Sequence, residues 1–181
     1  LEYRGQHKLV GVDAPGRTLR FDFQDPVKAD VLNVIPPMRA GALAVQTGLA
    51  NANGRWCHVD FLSFESTAAA GIHVLGDAIQ TAPGMPKSGH MANNQAKVAA
   101  AAIVARLKGL EVNTRPMLTN TCYSFVSPSE VIHVASVHEY VAGEKTFKAV
   151  AGSGGVSAAR SEQEANYAMA WARNIWADTL G

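Results

Sequence analysis

The sequence predicts an α/β chain of the α+β kind, and three stretches carry that expectation. The apolar segment "GIHVLG" runs into Asp77, a Pro/Gly loop and an alanine-rich helix of about twenty residues. The region "TNTCYSFVSP", "EVIHVASVHEYVA" and "KTFKAVAG" is rich in β-branched and aromatic residues, broken by Pro, Gly and Glu-Lys. It reads as an antiparallel sheet. The closing stretch "SEQEANYAMAWARNIWADTLG" has helical periodicity.

Taken in order, "KLVGVD" and "GRTLRFDF" flank the turn signal "APG" and predict a hairpin. Leu19, Phe21 and Phe23 alternate with Arg20 and Asp22, the pattern of a half-buried strand. "ADVLNVIPP" holds a short apolar run stopped by Pro36 and Pro37, expected as a buried strand. "MRAGALAVQTGLA" has helical spacing through Leu43, Val45 and Leu49, and "CHVDFLSF" suits a strand. Gly71 opens the expected strand "IHVLG". The helix after it is placed at about Ser88 to Leu107, with Ser88 as N-cap and Gly109 as stop. "SGGVSA" reads as a loop. In the last helix Ser161 and Glu164 form a capping box, and Tyr167, Trp171 and Ile175 share a face.

Composition narrows the function classes. Apolar residues make up 48% and charged residues 17%, a balance that argues for a globular chain. The net charge is +1 with no long run of either sign, so nothing recommends nucleic acid as a partner. No apolar run reaches the length of a membrane span. The start "LEYRGQHKLVGV" has no initiator Met and no leader pattern, which points to a chain that begins inside a longer product or follows processing. Six histidines are scattered without ligand spacing, so no metal site is expected. Cys57 and Cys122 fit no zinc pattern. They read as free thiols, with a disulfide between them left open.

The chemistry concentrates around Gly76 to Gly89. An aspartate at the end of an apolar segment can accept hydrogen bonds from ligand hydroxyls, and Gly76 lets a ligand come close. A helix start aims free N–H groups and positive potential at electron-rich groups. Lys87, Ser88 and Gly89 would then surround a site that gathers negative charge. A plain turn explains the Gly-Asp pair equally well.

"GIHVLGDA" resembles the second flavin-binding motif of glutathione-reductase-like flavoproteins with two dinucleotide-binding domains. Together with "MPKSGHMANNQAKVAAAAIVARLKG", "ADVLNVIPPMRAG", "GRWCHVDFLSFES" and "LTNTCYSFVSP", it is similar to the flavoprotein subunit of flavocytochrome c sulfide dehydrogenase. The similarity covers the C-terminal half of such a subunit; the GxGxxG loop and the flavin-anchoring cysteine have no counterpart in these residues. The resemblance implies residues 1–40 as the end of the second nucleotide-binding-like domain. It implies 41–111 as the second half of the FAD-binding domain and 112–181 as the C-terminal interface domain.

It also implies FAD as cofactor, with Asp77 at the ribityl hydroxyls and Gly76 allowing close approach. Lys87, Ser88 and Gly89 would lie at the pyrimidine edge, where reduction places charge. Cys122 corresponds to one of two redox-active cysteines, while Cys57 matches a position that looks structural. The implied activity is sulfide oxidation, with electrons passing to a c-type cytochrome subunit in the periplasm. Two alternatives are a fragment that binds no FAD and a sulfide:quinone-reductase-like enzyme. The last helix sets Glu162, Glu164 and Asp178 against Arg160 and Arg173, a mixture that lacks the basic face of a membrane-surface helix.

Overall fold

The computed structural model describes residues 2–181. The chain divides into two units, one ending at Met38 and the other running Arg39–Gly181.

The first unit is a small antiparallel sheet in the order β1-β2-β3, with β1 at Leu9–Asp13, β2 at Thr18–Phe21 and β3 at Val27–Lys28. The expected hairpin is present. Val12 pairs with Leu19 and Asp13 with Thr18 across the turn at Ala14–Arg17. The Asp13 carboxylate accepts from Gly16 N at 3.0 Å, a side-chain bond that closes the connection. Leu19 and Phe21 are half-buried, but Phe23 lies past the end of β2 and is exposed.

The buried strand expected at "ADVLNVIPP" does not form. Val31 is 83% and Ile35 85% exposed, and no strand follows Lys28 in this unit. A strand exists only where its N–H and C=O groups find a ladder, and Pro36 and Pro37 have no N–H to offer.

The second unit begins with a short helix, α1, at Ala42–Gln46, so Leu49 of the predicted helix falls outside it. "CHVDFLSF" yields only β4, Val59–Asp60, paired with β5, Glu65–Ser66, around a tight turn. The expected strand "IHVLG" is also absent. The segment is extended and bonds piecemeal, Ser66 N to Ile72 O and Val74 N to Phe64 O, with one bridge between Glu65 and His73. A 3-10 turn at Gly76–Ala78 ends it.

Next comes α2, Gly89–Leu107, where the sequence placed it. Ser88 Oγ accepts from Met91 N, and Gly109 takes the left-handed conformation (φ +67°) that stops the helix. Its buried residues, Met91, Gln95, Ala99 and Ala102, form one stripe along the helix.

The antiparallel sheet is present as expected. Strand β6, Met117–Phe125, pairs with β7, Val131–Val141, and β7 pairs with β8, Thr146–Ala149. A short strand, β9 at Gly155–Val156, also pairs with β7, within the stretch expected to be loop. The last helix, α3, spans Glu162–Leu180 and packs on β7. Half of its capping box forms. Ser161 Oγ accepts from Glu164 N, but Ser161 N is taken by Val131 O. The Glu164 carboxylate turns instead to Ser157 Oγ at 2.6 Å and His133 Nδ1 at 3.0 Å, partners that hold it below the usual carboxylate range.

The main core joins Phe64, Ile79, Met85, Met91, Leu118 and Phe147, so α2 and one sheet face close over the loop before the helix. A smaller core of Val131, Ala165 and Ala168, with Tyr123 against it, seats α3 on the other face. Trp171 is half-buried beside the rings of His90 and Tyr123, whereas Tyr167 and Trp176 are exposed.

Candidate functional site

The start of α2 gathers the predicted residues because its cap reaches two ways. The Ser88 hydroxyl accepts from Met91 N at 3.0 Å and donates to Asn120 Oδ1 on β6. Asn120 Nδ2 in turn donates to Cys122 Sγ at 3.4 Å. Residues two apart on a strand share a face, so Asn120 and Cys122 both look toward the helix start. Cys122 is half-buried and Cys57 fully buried, and both are free thiols. Burial pushes the Cys57 thiol up, as expected of an inert structural cysteine.

Lys87 is more engaged than a solvated lysine. Its ammonium donates to Asp77 O at 2.8 Å and Ile79 O at 2.7 Å, and sits 3.8 Å from the centre of the Trp56 ring. It ties the 3-10 turn to the helix start. Burial pushes its pKa down, and the Asp77 charge opposes that shift. One of the three ammonium donors is left over from the two carbonyls.

Gly76 has φ +69°, and a Cβ there would meet Ala92 Cβ at 3.3 Å. Its N–H donates to Gln95 Oε1 at 2.6 Å, a buried side chain of α2. The glycine is therefore required by the turn and by its packing on the helix. Asp77 is exposed, and no hydrogen bond to its carboxylate is found among the described residues. Gly89 is exposed with open space around its Cα, in the first turn of α2, where amide N–H groups lack helical partners.

This set fits a flavin in part. The Asp77 carboxylate is open to accept from ligand hydroxyls, and the Gly89 end of α2 presents donors and positive potential. Gly76 N–H and two of the Lys87 donors are already used by the protein. Six residues predicted from sequence thus fall on two adjoining pieces of backbone, 76–77 and 87–89, plus Cys122, joined to the second piece through Asn120. A groove of about 390 Å³ along the C-terminal part of α2, lined by Val98, Ala102, Val112 and Met117 among others, touches none of them.

Sequence reasoning passed over Asn120, Gln95, Trp56 and His90. Asn120 had a signal, its spacing of two from Cys122 on an alternating strand. Gln95 lies four residues from Met91 on the buried stripe. His90 Nδ1 accepts from Thr121 N at 3.0 Å, and burial lowers its pKa. Among the described residues no His, Cys, Asp and Glu group could hold a metal, and no helix is long and apolar enough to cross a membrane.

Residues 114–180 match the model of the family described as flavocytochrome c sulphide dehydrogenase, flavin-binding. The match takes in all of β6 to β9 and α3, with Asn120 and Cys122 inside it. The segment from Thr114 to Leu180, a little over a third of the chain, is thus similar to that flavin-binding family.

Proposed function

We propose that this chain belongs to an FAD-dependent oxidoreductase that oxidises sulfide and passes the electrons to a c-type cytochrome subunit, in the periplasm. The family match over residues 114–180 carries the proposal, and the link from Cys122 to the start of α2 supports it. FAD, when bound, supplies a two-electron acceptor. The Asp77 carboxylate would accept from the ribityl hydroxyls. Lys87, Ser88 and Gly89 would set positive charge and N–H donors at the pyrimidine edge, with Gly76 shaping the turn that presents Asp77.

Cys122 is one member of a redox-active cysteine pair, and buried Cys57 is not its partner. The division proposed with this reading has three parts. Residues 1–40 end a nucleotide-binding-like domain, 41–111 complete the FAD-binding domain, and 112–181 form the interface domain.

A second reading, that this chain alone holds no FAD, is favoured by one observation. Gly76 N–H and two Lys87 donors are satisfied by protein groups without any ligand. Titrating FAD into the purified chain decides between them, read by flavin fluorescence and by shifts of the 450 nm band. Saturable binding that Asp77→Ala weakens at least tenfold supports a flavin site in the chain alone, while no binding supports the second reading. The redox role is tested in the FAD-loaded flavoprotein under anaerobic conditions. Sulfide should bleach the flavin, and Cys122→Ser should abolish that bleaching; a fully active C122S protein refutes the role.

A further inference from the structure

Among the buried residues of α2, which are Met91, Gln95, Ala99 and Ala102, Gln95 is the polar one, and it is 1% exposed. A buried amide costs stability unless its ends find partners, so those partners define its role. The two ends of Gln95 are unequal. Oε1 accepts from Gly76 N at 2.6 Å, while Nε2 faces Met85 Sδ at 3.6 Å, a weak acceptor. Gly76 N–H can only donate, which fixes the end of the amide that meets it.

Ala92 precedes Gln95 by three residues and so shares its side of the helix. A Cβ at Gly76 would stand 3.3 Å from Ala92 Cβ. The helix thus offers Gly76 a small seat and one acceptor. Gly76 does not hold its φ of +69° by itself, because glycine populates positive and negative φ about equally and its contacts choose between them. Bonds from elsewhere in the chain hold the turn past this point. Asp77 O accepts from Lys87 Nζ at 2.8 Å, and Ala78 O accepts from Cys57 N at 3.0 Å. On the entry side, the N–H of Gly76 is held by Gln95. A rotation at Gly76 would swing the next residue, Asp77, whose side chain is exposed.

Resting on the reading of Asp77 as the acceptor for ribityl hydroxyls, we infer that Gln95 is its positioning residue. Gln95 is shut off from solvent, so it acts through Asp77 rather than on a ligand. It locks the backbone at Gly76 and sets the direction from which the Asp77 carboxylate meets a hydroxyl-bearing group. The lock sits on a long helix, so the carboxylate is placed before a ligand arrives and binding carries less of the ordering cost.

The test has two arms. The first is amide hydrogen exchange of the 181-residue chain, read residue by residue by NMR. Gln95→Met keeps the length of the side chain and removes the acceptor. The Gly76 amide should then exchange roughly tenfold faster, the loss expected for one hydrogen bond, while Ala99 and Ala102 on the same helix keep their protection. Gln95→Glu keeps an acceptor oxygen in either protonation state and should return Gly76 to slow exchange. Met85→Leu removes only the weak partner of Nε2 and should leave it slow. Unchanged Gly76 exchange in Q95M, or a rise shared equally by Ala99, overturns the inference. If circular dichroism shows that Q95M does not fold, Gln95→Leu is read by the same criterion.

The second arm is FAD affinity, read by flavin fluorescence in a cycle with Asp77→Ala. Q95M should weaken FAD about tenfold against wild type and add nothing in the D77A background. Equal losses in both backgrounds place the effect outside Asp77 and overturn the inference. The flavin reading fails separately, on a wild-type chain that binds no FAD or a D77A chain that binds it unweakened. The exchange arm then still decides whether Gln95 holds Gly76.

Discussion

Replacing Lys87 with Met is the sharpest perturbation of the helix start. Met keeps most of the aliphatic stem, so the loss is confined to the ammonium. Two hydrogen bonds disappear, to Asp77 O at 2.8 Å and Ile79 O at 2.7 Å. Each contributes about 1 kcal/mol net at a half-buried site. The cation 3.8 Å from the Trp56 ring centre adds about 1 kcal/mol. The expected destabilisation is therefore about 3 kcal/mol, set against a stability of roughly 5–15 kcal/mol for an average domain.

Urea unfolding followed by tryptophan fluorescence measures it. All three tryptophans, Trp56, Trp171 and Trp176, lie in the unit Arg39–Gly181, so the signal reports that unit. A double-mutant cycle with Trp56→Leu should return a coupling of about 1 kcal/mol. A loss under about 0.5 kcal/mol, or no coupling, would refute the view that Lys87 pins the 3-10 turn.

Other expectations use the same assay. Gly76→Ala forces a side chain into φ +69° and against Ala92, and should cost about 1–2 kcal/mol. Phe147→Ala empties the centre of the main core, beside Phe61 and Tyr140, and should cost about 3–5 kcal/mol. His138 is buried with Nδ1 unpartnered among the described residues, and burial holds its pKa below the ordinary value of 6.5. Its contribution to stability is thus complete above pH 6.5. The contribution falls as the pH drops toward the lower folded value, because the unfolded chain takes up the proton first. His138→Gln should make the urea midpoint fall less between about pH 7 and pH 5; an unchanged slope would remove His138 as a source of acid sensitivity.

What the sequence revealed was governed by local rules. Ser88 and Gly109 bracket α2 because capping acts within one helical turn. The β6–β7–β8 sheet was legible because its strands are consecutive and alternate in pattern. Val31 and Ile35 look like core residues by type, yet they are exposed, since a strand depends on ladder partners that composition does not report. The same reason undoes the strand expected at 72–76. The candidate site shows a similar division. Lys87, Ser88 and Gly89 are consecutive and could be read together. The Ser88–Asn120 bond spans 32 positions, and only the fold brings Cys122 to the helix start. The capping box failed halfway because Glu164 found Ser157 and His133, a pair of partners set by tertiary packing.

The contact between His90 and Thr121 has a consequence for self-association. Strand β6 lies at one margin of its sheet, so Thr121 N faces away from β7 and would be free to pair with another chain. The imidazole of His90 occupies that amide, and α2 shields the strand beside it. The guard works only while Nδ1 carries a lone pair. Burial disfavours the imidazolium, so His90 keeps that acceptor where an exposed histidine would begin to lose it. The edge of β6 is thereby closed at Thr121 by a side chain whose burial keeps it in the accepting form.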